Sequence, residues 1–184
     1  MEGYKVVFLG SSGVGKTILI NRYFNKNYKD EPGTSYSASF QEKKIEYNGK
    51  QYIFNIWDTP GSERHRESVK IFLKDVKIIV LVYDITVKDT FLDLQYWLDF
   101  ILERAPDAYL ILVGNKSDLY INRKIKESDG SKFAKVINAE FSEIGKDYLD
   151  EWNHFLDNVF INYLKMWGEG DKNDDDYFED DILI

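Results

Sequence analysis

The chain has 184 residues, 43% of them hydrophobic and 16% aromatic, enough for one domain with a full core. It carries no cysteine, which excludes disulfides, thiolate catalysis and cysteine-bound zinc, and its two histidines, His65 and His154, are too far apart in sequence to give a metal-site spacing. Of the net charge of −8, −7 falls from Glu169 onward, where eight acids face Lys172 alone; the body is near neutral, and nucleic-acid binding is not expected.

The opening Met1-Glu2-Gly3-Tyr4-Lys5 lacks the regions of a signal peptide, and no apolar run approaches a membrane span, so a cytoplasmic chain is expected. Residues 4–9 read as a short apolar strand. Gly10-Ser11-Ser12-Gly13-Val14-Gly15-Lys16-Thr17 follows, a match to G-x-x-x-x-G-K-[ST], and residues 18–24 then read as a helix. In a strand–loop–helix setting this spacing has a mechanism. The glycines let backbone N–H groups, from Ser12 and Gly13 through Val14 and Gly15 to Ile18, close around a phosphate at the positive end of the helix dipole. Lys16 would reach the β- and γ-phosphates, and the Thr17 hydroxyl would ligate Mg²⁺.

Residues 41–47 and 51–57 are strand-like runs flanking Asn48-Gly49, a strong hairpin signal because both turn residues tolerate positive φ. Asp58-Thr59-Pro60-Gly61 comes next. By itself it is a turn signature; beside a phosphate loop, Asp58 can hold Mg²⁺ directly or through water, and the Gly61 N–H can meet a γ-phosphate. Residues 76–85 form a strand and 89–105 an amphipathic helix, and 109–113 a further strand. Asn115-Lys116-Ser117-Asp118 follows that strand. It is either a polar loop or a base reader, since a carboxylate accepts from both guanine N1–H and the guanine amino group, a donor pair adenine lacks. A helix over 131–138, a short strand over 139–142 and a long helix from about 146 to 167 complete the order, with Gly168 as the stop. Strands alternating with helices imply a parallel sheet covered on both faces, with the hairpin adding an antiparallel edge. Residues 1–168 form this domain, and 169–184 an acidic tail expected to be disordered.

With these three motifs in order, residues 4 to about 167 resemble the Ras-like small GTPases, and within them the Rab family. The Rab character lies in Trp57-Asp58-Thr59-x-Gly61-x-Glu63-Arg64, Leu81-Val82-Tyr83-Asp84-Ile85-Thr86 and Leu112-Val113-Gly114-Asn115-Lys116-Ser117-Asp118-Leu119. The resemblance implies an α/β phosphate-loop NTPase fold with a six-stranded, mostly parallel sheet, one antiparallel edge strand and helices on both faces. It implies GTP or GDP with Mg²⁺, and two switch segments through which a monomer meets effectors, an exchange factor and an activating protein, typically in vesicle traffic. Lys16 and Gly61 would then serve hydrolysis, and Thr17, Ser35 and Asp58 the metal.

Four departures from the family pattern bear on function. Counting back from Phe40 puts Ser35 where switch I carries a Thr, with Thr34 one step away, and Tyr28 where an aromatic covers the guanine. Ser62 replaces the Gln that orients the attacking water and is too short for that role, while Pro60 stiffens the same turn; slow hydrolysis is expected. The base wall, normally Ser-Ala-Lys, is matched nearest by Ser142-Glu143-Ile144. The final residues hold no cysteine for a lipid, so any membrane recruitment is expected to go through protein partners; Glu179-x-x-x-Leu183-Ile184 resembles an acidic dileucine sorting signal. A static nucleotide-bound module that does not cycle is the rival reading, and a small-molecule kinase a third that would leave Asn115–Asp118 without a task.

Overall fold

The computed structural model describes residues 3–24, 38–60, 69–147 and 149–168. Six strands, β1 (Tyr4–Leu9), β2 (Ser39–Tyr47), β3 (Lys50–Asp58), β4 (Ile78–Asp84), β5 (Tyr109–Asn115) and β6 (Glu140–Ile144), lie in the order β2-β3-β1-β4-β5-β6. The β2–β3 pair is antiparallel, with Tyr47 opposite Lys50, and the other described pairs are parallel. Asn48 (φ 50°) and Gly49 (φ 72°) close the hairpin with positive φ at both positions, the conformation the Asn-Gly pair foretold.

Side chains alternate along each strand, so the sheet feeds two cores. Val6, Phe8, Val80, Val82, Ile111 and Val113 pack under α1 (Lys16–Phe24) and α5 (Leu149–Trp167). Val7, Leu9, Ile79, Leu81 and Leu112 pack under α3 (Leu94–Arg104) and α4 (Glu127–Val136). Strand β4 is buried over all seven residues, which explains an apolar run with no polar alternation. Among the described residues no helix is long and apolar enough to cross a membrane.

Two helices differ in their boundaries from the sequence expectation, and a third in the burial of its last residue. The helix over 89–105 is two segments, α2 (Lys88–Leu92) and α3, joined at Asp93, whose N–H is shared between the carbonyls of Asp89 and Phe91. Helix α4 begins at Glu127, four residues before the expected start, with Glu127 and Asp129 at the positive end of its dipole. Helix α5 ends as expected, the Gly168 N–H returning to Leu164 O at 2.8 Å, but Trp167, the last residue of its apolar stripe, is 47% exposed.

Candidate functional site

Three loops gather at the carboxyl ends of β1, β3 and β5, where a sheet of this order leaves a crevice. The loop after β1 is the glycine-rich one. Lys16 opens α1 with only 6% of its surface exposed, and its Nζ donates to Gly10 O (2.8 Å) and Ser11 O (3.1 Å), which holds the ammonium against the loop's own backbone. Burial lowers its pKa to about 8, and the Asp58 carboxylate pulls it back upward. Gly15 has φ 97°, and a Cβ there would collide with Asn115 Nδ2, so both conformation and space demand glycine. Ser12 and Gly13 are exposed at the loop's tip, Val14 is buried beneath it, and Thr17 and Ile18 are half-buried in the first turn of α1.

At the end of β3, Asp58 is 2% exposed, and its Oδ2 accepts from Thr17 Oγ1 at 2.6 Å. Thr59 Oγ1 donates to Phe8 O at 2.6 Å, tacking the turn after β3 to β1. A hydroxyl and a carboxylate this close, both hard oxygen donors beside a phosphate loop, are a fitting pair for Mg²⁺, which favours such ligands and retains several waters. Among the described residues no three His, Cys, Asp or Glu side chains form a metal-binding group of their own.

The loop after β5 is lashed to the first. Asn115 Nδ2 donates to Val14 O at 2.7 Å. Lys116, in the left-handed region at φ 66°, sends its Nζ to Gly13 O at 2.8 Å. Asp118 is half-buried, and its Oδ1 accepts the Lys146 N–H at 2.9 Å. A Cβ on Gly145 would stand 2.7 Å from Asp118 N and 3.0 Å from its Oδ1, so this glycine lets the two loops touch.

Ser142 and Glu143 are interior to β6, opposite Val113 and Gly114, and Ile144 ends the strand opposite Asn115. The Glu143 carboxylate is gripped by Arg123 in a fork of 2.7 and 2.5 Å. The segment packed on Asp118 is therefore Gly145-Lys146, just beyond the residues the sequence suggested. Tyr28, Thr34, Ser35, Gly61 and Ser62 lie outside the described residues, as does the acidic tail.

Sequence reasoning also passed over three features. Ser11 Oγ donates to Asp93 Oδ2 at 2.7 Å, joining the phosphate loop to the α2–α3 junction. Asp84, at the end of β4, reaches Lys116; its place at the carboxyl end of a parallel strand was the available signal. Phe40, 40% exposed, stacks on Trp57 at 5.1 Å, and Trp57 meets Phe72 at 5.5 Å. This aromatic row stands on β2, β3 and the 3₁₀ turn Lys70–Leu73.

Comparison with known proteins agrees with this geometry. The model of the Ras family matches residues 5–163. The Ras-related protein Rab-12 of Mus musculus and that of Homo sapiens are each 40% identical over 162 residues, covering 87% of this chain and 65% of their own length. The Ras-related protein Rab-26 of Mus musculus is 40% identical over 144 residues, 76% of this chain and 55% of its own. The chain thus spans just under two thirds of the Rab-12 relatives it matches.

Proposed function

This chain belongs to the Ras family and is Rab-like, and from that premise we propose that it is a guanine-nucleotide switch, binding GTP and GDP with Mg²⁺ and recruiting protein partners in vesicle traffic. One observation carries the reading. The bonds from Asn115 to Val14 O and from Lys116 to Gly13 O join the loop of Asp118, the proposed base reader, to the glycine-rich loop proposed to cradle the phosphates, which supports this reading. Asp118 already accepts Lys146 N–H, and an ionised carboxylate has about four acceptor sites, enough for the guanine N1–H and amino group as well. Gly145 and Lys146 supply the base wall in place of Ser142-Glu143-Ile144. The test is competition against a fluorescent GDP analogue: GTP displaces it at least about 100-fold more effectively than ATP, and parity within tenfold would sink the guanine assignment.

Thr17 and Asp58 would hold the Mg²⁺, with Ser35 or Thr34 joining in the triphosphate state; when bound it neutralises charge on the β- and γ-phosphate oxygens. Chelation with EDTA accelerates GDP release by about tenfold or more, as expected when a cation that neutralises phosphate charge beside Thr17 and Asp58 is removed. Equal rates with and without chelator would take the metal out of the account.

Hydrolysis is slow in this reading. Phosphoryl transfer here depends on positioning, and Ser62 lacks the two extra carbons and the amide that would hold the attacking water. Ser62→Gln raises the single-turnover rate by about tenfold, and further alongside Pro60→Ala. An unchanged rate with intact nucleotide affinity would point instead to a static module, or to another residue orienting the water. Partners meet the aromatic row of exposed Phe40 and half-buried Trp57 and Phe72, which adjoins in sequence both stretches that contact the γ-phosphate in this reading.

A further inference from the structure

We propose that Asp84 is a positioning residue for nucleotide retention, acting through Lys116 on the phosphate loop; the inference rests on the guanine-nucleotide reading above. Asp84 ends β4 and is 3% exposed. A carboxylate at that depth is strongly disfavoured unless its oxygens are satisfied, and here the two oxygens have separate partners. Oδ1 accepts from Thr86 N (2.8 Å) and Thr86 Oγ1 (2.6 Å). Oδ2 meets Lys116 Nζ at 2.6 Å, and the same ammonium donates to Gly13 O at 2.8 Å.

Lys116 needs such an anchor. Its ammonium is a compact charge on a flexible four-carbon stem, and its backbone sits in the left-handed region, which costs a non-glycine residue. The stem is the part of Lys116 suited to lie along a purine, and it lies there only if both ends are held. The backbone end is held by β5, and the ammonium end by Asp84 and Gly13 O together. Asp84 thus joins the end of β4 to the base loop and, through it, to the tip of the phosphate loop.

The two oxygens allow a selective test. Asp84→Asn keeps an Oδ1 acceptor for both Thr86 donors and turns an amide N–H₂ toward the ammonium, so it breaks the Lys116 contact and spares the turn. Release of a fluorescent GDP analogue with Mg²⁺ is measured for wild type, Asp84→Asn, Lys116→Gln and the double variant. Asp84→Asn speeds release by about tenfold, the effect of losing one charge-assisted contact. The double variant releases no more than about twofold faster than Lys116→Gln, because Asp84 acts through that lysine. Additive effects, or unchanged release in Asp84→Asn, would overturn the proposal. Amide hydrogen exchange without added nucleotide separates it from the broader reading. Asp84→Asn raises exchange over residues 12–17 and 115–119 but not over 78–83. If wild type holds no guanine nucleotide, the nucleotide reading falls while this exchange pattern still supports the tether; absence of the pattern overturns the tether itself.

Discussion

Lys16→Ala weakens GDP and GTP binding by at least about 100-fold. The ammonium is almost wholly buried, held by two loop carbonyls and drawn toward Asp58. In such surroundings a charge meets phosphate oxygens with little solvent between them, so its contribution exceeds that of a surface lysine. Arginine does not rescue the loss, because the site is shaped for a compact point charge and a planar fork is bulkier. Calorimetric titration with GDP gives the affinity, and a thermal melt confirms that the variant folds. An affinity within threefold of wild type would remove the phosphate assignment of the loop.

Asp118→Asn exchanges guanine for xanthine preference. Xanthine carries a carbonyl where guanine carries the amino group, and the asparagine amide donates where the carboxylate accepted. Its remaining oxygen can still take the Lys146 N–H, so the loop keeps its shape. GDP affinity falls by about 100-fold or more while xanthosine diphosphate gains, in line with the penalty for leaving a buried polar group mispaired. Side-by-side titrations decide it. A variant that still prefers GDP would mean that another residue reads the base.

Much of this site was legible because its chemistry is local in sequence. Gly10 to Thr17 follow β1, Asp58 ends β3 and Asn115 to Asp118 start from the last residue of β5, and the sheet brings these three strand ends to one edge. The hairpin was legible for the same reason, since Asn48-Gly49 encodes its own turn. What escaped notice depends on tertiary contact. Ser128-Asp129-Gly130-Ser131 has the composition of a turn, yet α4 runs through it, because Gly130 presses against Tyr83 and Phe141 where no side chain fits. Gly145 escaped because its value lies in its closeness to Asp118, 27 positions earlier in the chain. The Asp84–Lys116 contact likewise joins neighbouring strands, and only their register makes it visible.

The strand order makes the sheet a ruler. One strand, β4, separates β1 from β5, so the strand ends that carry the glycine-rich loop and the Asn115–Asp118 loop are two strand spacings apart, about 10 Å. Backbone hydrogen bonds along the β1–β4 and β4–β5 pairs fix that gauge. In the proposed reading a ligand that engages both loops carries its own spacer, and the ribose of a nucleotide is that spacer. Joined through it, two modest half-sites act as one strong site, because the second contact forms at high effective concentration. Guanosine and pyrophosphate supplied separately offer the base, the ribose and the phosphates and lack only the ester bond that joins the spacer to the phosphates. Added together at the concentration where GDP saturates the protein, they leave it largely unbound.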